Sequence, residues 1–234
     1  MIFIVLEAVI YITFIVFDLT DVSPSASDLI KYLGVLTALI HAFLMYLRLS
    51  GRDRLLTLCA LFFTAVADIF LLFFPENYIP GIASFCITQT LYMLMTTKKG
   101  DRKTRLFLPV SIGVISLCAA VFAASFIPGP DTLLLIAVLP YYALMFIANT
   151  VRSWVIFRRT GNAYDLTFAI GLSLFILCDI NVLIRNLNGF FPGLVSQGVF
   201  SASIFMTWIF YLPSQTLISY RTKLKVPSSH LCLR

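Results

Sequence analysis

The sequence predicts an all-α, polytopic membrane protein of about eight transmembrane helices, and three observations predict it. Of 234 residues, 60% are hydrophobic and 12% charged, against roughly 25% charged in soluble domains. The apolar residues gather into eight runs of about 18 residues or more, the length that crosses a hydrocarbon core. Positive charge concentrates in alternate connections, the asymmetry expected of cytoplasmic loops. The connections are too short for an extramembrane catalytic domain. A single transmembrane domain is therefore expected over residues 1–225, followed by a cytoplasmic tail over 226–234.

The runs lie at about 2–19, 28–48, 54–74, 79–97, 105–126, 131–151, 162–185 and 195–219. Arg48, Arg52 and Arg54 fall in the second connection, Lys98, Lys99, Arg102, Lys103 and Arg105 in the fourth, Arg152, Arg158 and Arg159 in the sixth, and Arg221, Lys223, Lys225 and Arg234 in the tail. Asp18, Asp21, Asp28, Glu76 and Asp131 occupy the odd connections, with Arg185 as the exception. Both termini are thus expected in the cytoplasm, in a bacterial plasma membrane. The net charge of +6 marks that side of the membrane rather than a nucleic-acid surface. Cys59, Cys86, Cys118, Cys178 and Cys232 show no CxxC or His-x-Cys spacing, so neither disulfides nor a zinc site is expected.

Run 1 lacks a basic n-region and cleavage site and reads as a retained helix, with Glu7 expected to snorkel to the interface or pair with an arginine. The Asp18 to Asp28 stretch, with Pro24 and three serines, reads as an outer turn. Run 2 places Lys31 above a seam of Gly34, Ala38 and Ala42, small residues at helical spacing that let membrane helices approach closely. That spacing points Lys31 toward protein; a lysine reaching for lipid headgroups is the alternative. His41 reads as a hydrogen-bonded packing residue. Run 3 carries Asp68 in an otherwise apolar stretch. A charge at membrane depth costs about 2.5 to 3.5 kcal/mol on insertion scales, so such a residue marks function by default.

Run 4 aligns Ser84, Thr88, Gln89 and Tyr92 as a polar stripe, either interhelical hydrogen bonding or the wall of a polar cavity. Run 5 reads as scaffold. Run 6 holds Pro140, Tyr141 and Tyr142, with a kink expected at the proline, and Asn149 further in. Run 7 carries Asp179 at a depth close to that of Asp68, with Asn186 on its face two turns on. Run 8 is expected to set Ser201, Trp208, Tyr211 and Gln215 on one side. Asp68-Ile69-x-x-Leu72 recurs as Asp179-Ile180-x-x-Leu183, each followed by a Pro-Gly pair, which suggests two parallel four-helix halves with a site between them.

Ala60, Leu61, Phe62, Asp68 and Leu72, then Gly81, Phe85 and Tyr92, then Asp179, Tyr211 and Gln215, with Lys31 opening the second helix, resemble the ordered landmarks of the YhhN membrane proteins, whose characterised members are lysoplasmalogenases. The chain departs from the family pattern where Ala67 replaces a glycine, Cys178 a serine and Gln89 a histidine. The resemblance implies hydrolysis of the vinyl ether of a lysophospholipid to a fatty aldehyde and a glycerophospho-alcohol, without a cofactor or metal. Asp68 and Asp179 would divide acid and base work as paired carboxyls do in glycoside cleavage. Lys31 would bind phosphate or hold one aspartate ionised. Gln89, Tyr92, Tyr142, Asn186, Tyr211 and Gln215 would orient water or headgroup. The rival readings are a proton- or substrate-coupled transporter or lipid-binding protein using the same acids, and a structural protein in which Lys31 pairs with Asp68 or Asp179.

Overall fold

The computed structural model describes residues 2–20, 23–97, 102–123, 130–190 and 193–224. Nearly all of them belong to eight helices: α1 (Ile2–Thr20), α2 (Pro24–Leu49), α3 (Arg52–Phe73), α4 (Tyr78–Thr96), α5 (Arg102–Ala123), α6 (Pro130–Thr160), α7 (Ala163–Phe190) and α8 (Gln197–Tyr220). Helices α1 to α4 and the Ala163–Asn186 stretch of α7 are each long and apolar enough to cross a membrane. The protein is an integral membrane protein.

Helix ends depart from the apolar runs where local chemistry extends the helix. Pro24 sits in the first turn of α2 and the Ser23 hydroxyl accepts the Ala26 N–H, so Pro24 to Asp28, expected as a turn, is helical. Asp18, expected in the same turn, lies on α1. Helix α6 continues to Thr160 and carries Arg152, Arg158 and Arg159, which were expected in a connection. Its 31 residues reach about 46 Å, well past a core of about 30 Å. An apolar run marks the part of a helix immersed in lipid; hydrogen bonding carries on beyond it.

Gly161, at φ 63, makes the turn into α7. Asn162 caps that helix: its Oδ1 accepts the Asp165 N–H at 2.8 Å and its Nδ2 donates to Asp165 Oδ2 at 2.8 Å. At the same end of the bundle arginines satisfy terminal carbonyls. Arg52 donates to Leu94 O at 3.0 Å, Arg152 to Thr96 O at 3.4 Å and Arg54 to Thr222 O at 2.8 Å.

Each of α1 to α4 packs on the next, and so does each of α5 to α8. The two sets join twice in equivalent fashion, α4 on α6 and α8 on α2, with α5 touching α4 as α1 touches α8. Helix α3 also packs on α8, without an equal contact of α7 on α4 among the described residues, so the two sets are alike in order but not identical in packing. The α2–α8 contact runs along the small-residue seam: Gly34, Ala38 and Ala42 are buried, and the Ser219 hydroxyl donates to Ala38 O at 2.6 Å. Phe85, Tyr142, Phe146, Phe168, Phe175 and Tyr211 form the aromatic centre. Phe107, Leu117 and Phe122 of α5 stay exposed, as a peripheral helix facing lipid requires.

Candidate active site

One turn before Asp68 on α3 stands Thr64, and Ala65 and Ala67 flank the acid, so small side chains let α8 come close. Asp68 is 4% exposed. Its two oxygens share the hydroxyl of Tyr211, which donates at 2.9 Å to Oδ1 and 2.7 Å to Oδ2. On α7 Asp179 is only partly buried. Its Oδ2 accepts the Tyr142 hydroxyl at 2.5 Å. Distances of about 2.5 to 2.7 Å are those of O–H donors on carboxylates. Each intramembrane acid thus has a phenol of its own, supplied by a different helix.

Between the phenols stands Phe175. Its ring meets Tyr211 at 5.3 Å and Phe85 at 5.6 Å, and Phe85 meets Tyr142 at 5.9 Å. The two phenols are thus linked through a chain of aromatic rings, and each acid bonds its own phenol rather than the other acid. Cys178, next to Asp179 in sequence, is buried. An apolar groove of about 400 Å³ between α2 and α3, lined by Leu39, Phe43, Leu58 and Phe62 among others, contains neither acid.

Lys31 points inward, as the seam predicts. It pairs with Asp18 of α1 at 2.9 Å and Asp28 at 3.6 Å, not with Asp68 or Asp179. The structural reading that gave it one of those acids is corrected: Asp18, displaced from the expected turn onto α1, reaches it first. The Ser27 hydroxyl also bonds Asp18. The Lys31 ammonium lies 5.6 Å from the Trp208 ring, and Trp208 meets Tyr211 edge-on at 5.2 Å, so an aromatic link joins this pair to the ring that holds Asp68.

The α4 stripe divides by function. Thr88 donates to Ala60 O and Ser84 O at 3.2 Å each, which is interhelical and local hydrogen bonding. Gln89 receives the Asn149 amide on its main-chain oxygen at 2.8 Å and on Oε1 at 3.0 Å, while its own Nε2 has no partner. Tyr92 and Gln215 are fully buried and their polar atoms are unpartnered. Asn186 is exposed near the end of α7, so sharing the Asp179 face does not bring it to the acid.

Three expectations are corrected. Glu7 is 3% exposed and has no arginine partner; its carboxyl lies in the bundle near Thr216 of α8. Facing a neighbouring helix rather than lipid, it has no path along which to snorkel. Ser201 is exposed, because ten residues turn a helix about 80° away from the Tyr211 face. Arg221, assigned to the tail, is 2% exposed and lies between the rings of Tyr164 at 4.0 Å and Phe168 at 4.2 Å. A 3-10 turn closing α8 folds it back inside, which no periodicity announces. His41 behaves as expected, bonding Ser219 Oγ at 2.9 Å and stacking on Phe3 at 3.9 Å. Among the described residues no three His, Cys, Asp or Glu side chains gather as metal ligands. The tail over 226–234 and Lys98, Lys99 and Asp21 lie outside the described residues.

The family model described as the YhhN family matches residues 26–221. The match contains Lys31, both acids, both phenols and Arg221, and leaves out Glu7 and Asp18. No curated protein and no solved structure matches the chain.

Proposed function

Because the chain belongs to the YhhN family, we propose that it is an intramembrane hydrolase cleaving the vinyl ether of a lysoplasmalogen. The observation that carries the proposal is the pair of aspartates inside the apolar bundle, each with a tyrosine hydroxyl on its carboxylate. Intramembrane carboxyls are expensive and mark chemistry or transport. Asp179, the more accessible, delivers its proton to the alkene carbon remote from the ether oxygen, leaving an oxocarbenium ion at the oxygen-bearing carbon. Water adds to the oxygen-bearing carbon, its proton passing to the Asp68 carboxylate. The hemiacetal then breaks its C–O bond as Asp68 gives its proton to the leaving glyceryl oxygen and the hemiacetal hydroxyl proton passes to Asp179, so that the fatty aldehyde and the glycerophospho-alcohol leave with both acids restored. Tyr142 and Tyr211 fix the two carboxyls through this cycle. Lys31, shared by Asp18 and Asp28, acts mainly as a clamp between α1 and α2.

Protein purified in detergent should release fatty aldehyde from lysoplasmalogen. Asp68→Asn and Asp179→Asn should each lower turnover by about 10²-fold or more, the usual contribution of a general acid or base. Folded yield must stay near that of the unaltered protein. A protein that moves or binds lysolipid in vesicles but releases no aldehyde is a carrier, and the hydrolase reading then fails.

A further inference from the structure

Beneath Asp68 a file of buried polar side chains continues toward the arginine-rich end of the bundle. Thr64 lies one turn along α3, and Gln215 one turn beyond Tyr211 on α8. Tyr92 of α4 is buried in the same core cluster as Tyr211. Its ring packs edge-on to Phe168 at 5.5 Å, and Phe168 carries the Arg221 guanidinium on its face at 4.2 Å. Phe168 thus ties Tyr92 to Arg221 at the lower end of the file.

Several of its polar atoms are unpaired. Among the described residues the Tyr92 hydroxyl, Ser214 Oγ, both amide atoms of Gln215, Gln89 Nε2, and Nε and Nη1 of Arg221 have no hydrogen-bond partner, although every one of these residues is at least nine-tenths buried. An unsatisfied buried donor or acceptor costs about 1 to 3 kcal/mol, and lipid offers no partner from outside. An ordered water makes two to four polar contacts and would satisfy such atoms.

We propose that Thr64, Tyr92, Ser214, Gln215 and Arg221 line a hydrated column running from Asp68 to the arginine-rich end, and that this column supplies the water consumed at Asp68. The second clause rests on the hydrolase reading; the first does not. Arg221, held between Tyr164 and Phe168 and paired with Asp165 at 4.0 Å, closes the far end.

X-ray hydroxyl-radical footprinting tests the column directly, because the radicals form at ordered waters and need no entry path. Tyr92 should be oxidised about tenfold faster than Met145. Met145 is just as buried but sits in an apolar cluster with Met93 and Ile112, and its thioether is intrinsically the more reactive target. Equal or slower oxidation of Tyr92 overturns the column. Gln215→Leu should lower both Tyr92 oxidation and kcat by about tenfold with KM little changed; Gln215→Met replaces it should the first variant fail to fold. Loss of Tyr92 oxidation with kcat intact overturns the supply of water by this route. A wild-type protein that releases no aldehyde sinks the hydrolase reading, while the footprint still decides the column.

Discussion

Tyr211 and Asp68 show why a buried acid can be tolerated at membrane depth. One phenol O–H contacts both carboxylate oxygens, at 2.9 and 2.7 Å, and removing it leaves the charge with no donor. Tyr211→Phe should therefore destabilise the protein by about 1 to 3 kcal/mol. In an Asp68→Leu background the same change should cost far less, giving a coupling of about 1 kcal/mol or more in a double-mutant cycle read from thermal unfolding in detergent. Additive effects would mean that the bond contributes nothing. Both acids were legible in the sequence because a carboxyl in an apolar run has no inexpensive explanation. Which tyrosine serves which acid was not, since Tyr142 and Tyr211 reach across from other helices and pairing between helices leaves no periodic trace. Glu7 and Arg221 were misplaced for a related reason: nearness to a helix end suggested solvent, and only the neighbouring helices turn them inward.

At the level of elements, the eight apolar runs located every helix, and the misplaced boundaries were those set by caps and arginines rather than by hydropathy. Small residues predicted packing well. Along α2 the spacing of Gly34, Ala38 and Ala42 foretold a close neighbour, although nothing in it said that the neighbour is α8. A Cβ built on Gly34 would come within 2.5 Å of Leu212 Cδ1. That atom ends a flexible side chain, so Gly34→Ala should be absorbed by a rotation of Leu212. Gly34→Leu cannot be absorbed that way and should lower stability by about 1 to 3 kcal/mol through overpacking. Adding Leu212→Ala should recover a good part of the loss, as seen in the thermal midpoint. Failure of the second change to rescue the first would show that α2 and α8 do not meet at this seam.

Across the whole molecule the two ends of the bundle differ in kind, and the difference assigns a direction to the proposed chemistry. Arg52, Arg54 and Arg152 cap backbone carbonyls at one end, with Arg158, Arg159 and Lys223 beside them. The acids lie toward the other. Asp68 is five residues from the end of α3 at Phe73, and Asp179 seven from the end of its apolar span at Asn186, which places them roughly 8 to 10 Å inside. From the positive-inside rule we propose that the arginine end faces the cytoplasm and the acids the outer leaflet. Lysolipid would then reach Asp179 from the outer half, while water would reach Asp68 from the cytoplasmic half through the proposed column. The repeat in sequence hinted at this polarity, since Asp68 and Asp179 sit on helices running the same way. A fluorescent protein fused to the C-terminus should be bright and an alkaline phosphatase fused there inactive. The reverse pattern would turn the acids toward the cytoplasm, and substrate entry would have to be sought in the inner leaflet.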